Sequence, residues 1–188
     1  MSELIELQTQ RLILRRWRED DLAAFATMNA NPEVMRYFPA CMSIDESDAL
    51  ARRIIQHFAD HGFGQWVVER VDQPGLIGVV GLLHVSFAAA FTPAVEIGWR
   101  LDSRYWRQGY ALEAARAVLR HGFTELGLEQ IVAFTVPANR PSQALMQRLG
   151  MQHDSQGDFL HPRLPVGHAL RQHVLYRLPR EHWQQTHE

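Results

Sequence analysis

"SRYWRQGYALEAARAVL", residues 103–119, decides how the rest of the chain is read. An aromatic-rich turn with one glycine, Gly109, runs into a stretch patterned as a strong amphipathic helix. A strand leading into such a turn presents several unpaired backbone N–H groups at the positive end of a helix macrodipole, where a phosphate can bind. Gly109 has no Cβ to obstruct an anion, Ala111 is the next smallest residue, and Arg104 and Arg107 stand nearby with their charge. The same residues also fit an ordinary tight connection with solvent-facing arginines.

Working outward, a β-rich run, "AVEIGWRL", precedes the turn, and "QIVAFTV" follows its helix as a β-branched and aromatic strand. "GQWVVERV" and "GLIGVVGLLHV", separated by "DQPG", predict a hairpin. Leu12–Trp17 reads as a strand, and the "REDD" after it suits the first turn of a helix ending near Asn29. Ser43 and Glu46 fit a capping box, followed by a helical face of Leu50, Ile54 and Phe58 that stops at Gly62. "PSQALMQRLGM" reads as a helix with Pro141 in its first turn and Gly150 at its end, and "HVLYRL" supplies a last strand. No linker, repeat or low-complexity run divides the chain, so residues 1–188 are expected to form one mixed α/β domain. "GFGQWV" has the spacing of two Rossmann glycines but lies between a helix and a strand, the wrong order for a dinucleotide site.

Composition removes several classes of function. A chain of 188 residues with 46% hydrophobic content can bury a substantial core. The formal net charge of −2 gives no general polyanion-binding character, so nucleic acid is not an expected partner. All 19 basic residues are arginine, which excludes a Walker A lysine and a pyridoxal-phosphate Schiff base. Cys41 is the single cysteine, so intramolecular disulfides and cysteine-rich metal sites are impossible and a reducing cytoplasm is the expected compartment. Arg11, Arg15, Arg16 and Arg18 interrupt the apolar residues near the N-terminus, and no window approaches membrane-spanning length, so neither a leader nor a membrane is expected.

Four segments carry a resemblance to a known family: "TQRLILRRWREDD", "EIGWRLDSRYWRQGYALEAA", "NRPSQALMQRLGM" and "HVLYRL", in that order. Together they resemble the GNAT acetyltransferases, in the branch similar to the RimJ/RimL ribosomal-protein N-terminal acetyltransferases. The resemblance implies the GNAT fold: a central, twisted, mixed but mostly antiparallel sheet flanked by helices. It also implies acetyl-coenzyme A as cosubstrate, with its pyrophosphate on the backbone amides of a turn written Q/R-x-x-G-x-G/A. Gly109, Tyr110 and Ala111 match the last three positions; Trp106 stands at the first. The implied cradle runs from Arg107 through Gln108, Gly109 and Tyr110 to Ala111, and the pantetheine arm lies along the backbone of Trp99, Arg100 and Leu101.

Acetyl transfer by direct attack in a ternary complex requires the thioester to be held beside an amine, the amine deprotonated, the developing oxyanion stabilised and a proton returned to the thiolate. Glu96 is the carboxylate within "AVEIGWRL", on one strand face with Gly98 and Arg100, and suits a water-mediated base; the resemblance also places catalytic glutamates on this strand. A Glu96–Arg100 surface pair is the competing account. Many GNAT enzymes use a tyrosine as acid where this chain has Met146, whereas the RimL-like branch carries N-x-x-S. Asn139 and Ser142 fit that motif, making Ser142 the proton-donor candidate and Asn139 a pantetheine or backbone contact; both residues also suit ordinary helix capping. The leaving thiol has a pKa of about 8.5, so an acid is not obligatory.

His57 and His61 have i,i+4 spacing, and His161, His168 and His173 gather toward the C-terminus. No H-E-x-x-H motif is present and acetyl transfer from a thioester needs no Lewis acid, so solvated polar faces are the expected role and no metal is expected. Trp17, Trp66 and Trp99 are expected in strands and mostly in the core, with Trp106 sheltering the cofactor. The acceptor site is expected from the first two helices and "DFLHPRLPVGHALRQH", whose Arg163 and Arg171 could meet an acidic group or be solvated. The acceptor is an amine of a small molecule or a protein N-terminus, and the sequence leaves room for a homodimer. The alternative on the same fold is a non-catalytic acyl-coenzyme A sensor, and a third reading is a protein-interaction module without cofactor affinity.

Overall fold

The computed structural model describes residues 6–187. Among them the chain forms β1 (Leu7–Gln8), β2 (Leu12–Arg15), α1 (Asp21–Asn29), α2 (Ile44–His61), β3 (Gln65–Arg70), β4 (Gln73–His84), β5 (Val95–Leu101), α3 (Tyr110–Thr124), β6 (Gln130–Thr135), α4 (Arg140–Arg148), β7 (Gln152–His153), β8 (Phe159–Leu160), β9 (Gln172–Pro179) and α5 (Arg180–His187). The fold is mixed α/β with mostly antiparallel strand pairing, as expected. Its residues gather into two compact units, one comprising the chain up to Leu83 with Gly98–Val118, the other His84–Ile97 with the chain from Leu119 onward. β5 and α3 each contribute residues to both. No described helix is long and apolar enough to cross a membrane.

In the first unit β1, β2, β3 and β4 pair antiparallel in sequence order. β3 and β4 form the expected hairpin, but its turn is Val71–Asp72, because Gln73 already pairs with Arg70 and Gln73, Pro74 and Gly75 of "DQPG" lie in β4; the register shifts at Glu69 and Arg70. Phe25, Met28, Val34, Met35, Ala51, Ile54 and Val79 form its core, drawn from α1, the α1–α2 connector, α2 and β4. The capping box is formed in both directions, with Glu46 N–H donating to Ser43 Oγ and Ser43 N–H donating to Glu46. Gly62 ends α2 at φ 78°, a left-handed conformation that a side chain would strain.

The second strand stops at Arg15, short of the expected Trp17, because Arg15 turns inward. Its guanidinium is 3% exposed and donates from Nη1 and Nη2 to Asp21, each at 2.8 Å, and from Nε to Glu69 at 2.8 Å. The chain curls round this cluster: Arg16 O accepts from Arg15 Nη1, and Arg18 N–H donates to Asp21. Trp17 therefore lies beyond the strand, edge-on to Phe25, with its indole N–H on Gln65 O at 2.9 Å.

In the second unit β6 and β9 pair antiparallel from Gln130↔Pro179 to Thr135↔Val174, and the two-residue strands β7 and β8 also pair with β9. β5 joins β6 in parallel at Glu96↔Val132. Phe91, Val132 and Leu175 are the buried centre, with Phe87, Phe134 and Phe159 packed against them. Phe123 of α3 stacks on Trp183 of α5 at 5.1 Å.

Replacing Arg15 by Met leaves two buried carboxylates without their cation. The expected loss is about 3–5 kcal/mol of unfolding free energy. Urea denaturation should show it as a lower midpoint at unchanged slope, while exposed Arg18→Ala stays within about 0.5 kcal/mol of wild type.

Candidate active site

The turn before α3 leaves a run of its backbone N–H groups without acceptors. Arg107 has φ 58° and Gly109 φ 83°, so left-handed residues alternate along the turn, a geometry that aims successive N–H groups into one concavity. Among the described residues, none of the N–H groups from Arg107 to Leu112 has an acceptor; the next, Glu113 N–H, donates to Gly109 O. Arg107, Gln108 and Gly109 are exposed and Ala111 is half-buried, so the amides are reachable, while Tyr110 is buried beneath them. A Cβ on Gly109 would stand 3.2 Å from Arg11 Nη2.

That contact exposes a residue whose role was not read from the sequence. Arg11 grips the turn from the β1–β2 connection: Nη1 donates to Gln108 O at 3.0 Å, Nε to Glu113 Oε2 at 2.7 Å, and the guanidinium lies 4.6 Å from the Tyr110 ring centre. Glu113 also accepts from Thr9 Oγ1 and from Arg11 N–H. Burial opposes ionisation of Glu113, but these bonds outweigh it and hold the carboxyl below its ordinary range. Arg104, expected to offer charge to the anion, is instead spent on Asp102 at 2.7 Å. Trp106 caps the turn by donating its indole N–H to Leu101 O at 2.8 Å, with 39% of its surface exposed.

In the second unit, Glu96 keeps some accessible surface, yet its carboxyl is surrounded by protein. Burial pushes it up to about 7, against the opposing pull of the Arg163 charge. Among the described residues it forms no hydrogen bond or ion pair, so the surface-pair account is not what the structure shows; Arg100 in the first unit takes Asn29 as its partner. Arg163 is exposed and donates to Ser86 O and Oγ at 2.6 and 2.8 Å. Phe87, Phe91, Phe134 and Phe159 form a mutually contacting aromatic group, joined by His161 and His173, whose rings are 5.1 Å apart. Burial holds both imidazoles below their ordinary pKa, helped at His161 by His173 and Arg163.

A family model described as Acetyltransferase (GNAT) domain matches residues 11–152. The chain belongs to the GNAT acetyltransferases. YnaD of Bacillus subtilis (strain 168), an uncharacterized N-acetyltransferase, is 29% identical over 180 residues, covering 95% of this chain and 99% of its own. The crystal structure of a GNAT-family acetyltransferase from Bacillus anthracis matches with a TM-score of 0.77 at 26% identity, over 94% of this chain and 99% of that one. The spermidine N-acetyltransferase of Vibrio cholerae, solved with CoA and spermine, shares the fold at a TM-score of 0.73 and 21% identity, over 94% of this chain and 99% of that one. The protein is therefore an acetyl-CoA-dependent acetyltransferase, and the open amides at residues 107–112 fit the phosphate groups of that cosubstrate.

In this GNAT chain Asn139 caps α4: its Oδ1 accepts from Ser142 N–H at 3.3 Å and its Nδ2 donates to Thr135 Oγ1 at 3.0 Å. Ser142 is half-buried, and among the described residues its hydroxyl has no partner. Met146 is 2% exposed and serves the core. Of the tryptophans, Trp66 is fully buried, while Trp99 is half-buried on β5 beside buried Leu101. His57 lies 2.8 Å through Nδ1 from Phe63 O, and His168 Nδ1 accepts from Leu170 N–H.

The cradle is tested by a matched pair at Gly109, since Asn and Asp both tolerate a left-handed backbone. Gly109→Asp should weaken acetyl-CoA binding by more than about tenfold relative to Gly109→Asn, the difference being one carboxylate charge at the phosphate position. Calorimetric titration of the two folded variants gives the comparison; equal affinities would remove the assignment.

Proposed function

We propose that the protein is an N-acetyltransferase of the RimJ/RimL-like branch, a single-domain cytoplasmic enzyme that moves the acetyl group of acetyl-CoA to a primary amine of a small molecule or a protein N-terminus. The observation that carries the acetyl-CoA half of this reading is the run of open N–H groups from Arg107 to Leu112 at the start of α3. The branch assignment is supported by Asn139 and Ser142, which stand at the start of α4 in the N-x-x-S arrangement.

The backbone of Arg107, Gln108, Gly109, Tyr110 and Ala111 takes the pyrophosphate, and that of Trp99, Arg100 and Leu101 takes the pantetheine arm. Glu96, with its pKa raised to about 7, is half ionised at neutral pH and accepts the proton of the incoming ammonium through water. The amine nitrogen then bonds to the acetyl carbon as the carbon–sulfur bond breaks. A second amine proton leaves toward solvent, and the departing thiolate is protonated by Ser142, refilled from solvent, or by solvent directly. Ser142 sits in the first turn of α4, where the helix N-terminus also favours a thiolate. Asn139 holds that turn in place.

Thiol release measured over a panel of amines and peptides tests the reading, and acetyl-CoA binding without turnover on any of them would overturn it. Ser142→Ala should lower kcat less than Glu96→Gln, because a thiol of pKa about 8.5 leaves with modest help whereas an amine of pKa about 8 to 10.4 must lose a proton. With wild type, kcat/KM should rise with pH through about 7 as Glu96 ionises. Glu96→Gln should instead climb toward the acceptor's own pKa and recover most at high pH; a profile uniformly depressed and parallel to wild type would assign Glu96 a positional role.

A further inference from the structure

Arg100 is half-buried, and its guanidinium is enclosed by protein without the compensation that Arg15 has. Its Nη1 donates to Asn29 Oδ1 at 2.6 Å, and its guanidinium lies 4.2 Å from the centre of the Phe38 ring. Nε–H is buried without an acceptor, and among the described residues no carboxylate pairs with the group. Burial alone pulls the guanidinium down from its ordinary range to about 10. Asn29 is a neutral partner locked in place: it is fully buried, its Nδ2 donates to Ser47 Oγ at 2.9 Å, and its backbone oxygen accepts from Met42 N–H.

A folded chain rarely keeps a buried cation without an anion, since desolvation costs several kcal/mol that a neutral amide and a ring face repay only in part. Arg15, in the same unit, shows how this chain compensates such a charge when its role is structural: two carboxylates, with every guanidinium nitrogen bonded. At Arg100 one edge of the planar fork is fixed by Asn29 and its ring face by Phe38, which leaves Nε, itself covered by protein, and Nη2 as donors that no described group uses. Two parallel N–H groups at that spacing match the two oxygens of a carboxylate. The pyrophosphate of acetyl-CoA already has its own row of amides at residues 107–112. The elements that hold Arg100, α1 and the connector after it, belong to the part of the chain expected to form the acceptor site.

We propose that the Arg100 side chain binds a carboxylate on the amine acceptor, so that the substrate class is amino acids or acidic peptides rather than polyamines or other cationic amines. This rests on the acetyl-transfer reading above and adds to it the chemical class of the acceptor.

Acetyl transfer is measured on matched acceptors: free amino acids against their carboxamides, and peptide amides with Asp or Glu at the second position against those with Asn or Gln. Wild type should favour the carboxylate member in kcat/KM by at least about tenfold, and Arg100→Gln should bring that ratio close to one, chiefly through KM. Arg100→Lys, which keeps the charge without the fork, should restore only part of the preference. A wild-type ratio near one, or a preference that survives in Arg100→Gln, overturns the proposal; the second outcome moves the anion site to another cation. Should Arg100→Gln not fold, thermal shifts of wild type with N-acetyl amino acids against their amides decide the question, since a carboxylate that Arg100 binds raises Tm and its amide does not. Failure of acetyl-CoA to bind wild type in calorimetry would instead bring down the acetyl-transfer reading itself.

Discussion

The first unit hangs on one buried cation, Arg15, held between Asp21 and Glu69. A charge at that depth is tolerated only when its partners are fixed, and fixing them fixes β2, the start of α1 and β3 at once. The orientation of α1 follows from its first residue, because Asp21 opens the helix and is itself 3% exposed. Asn29 closes the same helix, and Asn29 is what holds Arg100. A structural ion cluster at one end of a nine-residue helix thus positions, at the other, the polar group that receives Arg100.

On β5 two ionisable groups are enclosed by protein without an opposite charge bonded to them among the described residues: Glu96, raised to about 7, and Arg100, lowered to about 10. Each costs the fold stability. For Glu96 the sign is that of a carboxyl whose folded pKa exceeds its unfolded one near 4.5: the folded state is relatively favoured below that value, and the advantage is lost as pH rises through about 7. At neutral pH the protein therefore carries a strand that the fold alone would prefer neutral. Groups so perturbed are places where local consistency is given up, and such places are often functional.

The readings that succeeded from sequence were those in which the signal is local. A capping box spans four positions and a helix face repeats within about a turn, so Ser43 with Glu46 and Leu50–Ile54–Phe58 each carry their own geometry; the hairpin was legible too, although its two-residue turn precedes most of "DQPG". Gly109 was legible for the same reason, and its φ of 83° is a left-handed conformation that favours glycine. What stayed hidden depends on pairs brought together by folding: Arg15 with Glu69 across 54 positions, Arg100 with Asn29 across 71, Arg11 with Glu113 across 102. A run such as "RLILRRWR" shows arginines of equal appearance, one buried, one gripping the anion turn and one mostly exposed. The two-residue strands β1, β7 and β8 are too short to show a period, and their existence follows from their neighbours. Arg11 did have a signal, since it falls within a segment that carries the family resemblance, but the segment names a family and not a contact.

The Arg11 clamp also determines how the anion turn works. Arg11 is neutralised by Glu113 and Arg104 by Asp102, so two of the full charges nearest the turn are already satisfied, and Arg107 is the one left among the described residues without a partner. Recognition then falls to backbone N–H groups, which carry partial charges in fixed directions. Such donors lose little hydration on binding compared with a free guanidinium, and they discriminate by the shape of the anion more than by its total charge. The clamp contributes to that: Arg11 bonds Gln108 O and Glu113, so the Gln108 carbonyl is occupied while the N–H groups from Arg107 to Leu112 have no acceptor among the described residues. An arginine neutralised by Glu113 thereby sets the geometry of the turn proposed to hold the cosubstrate.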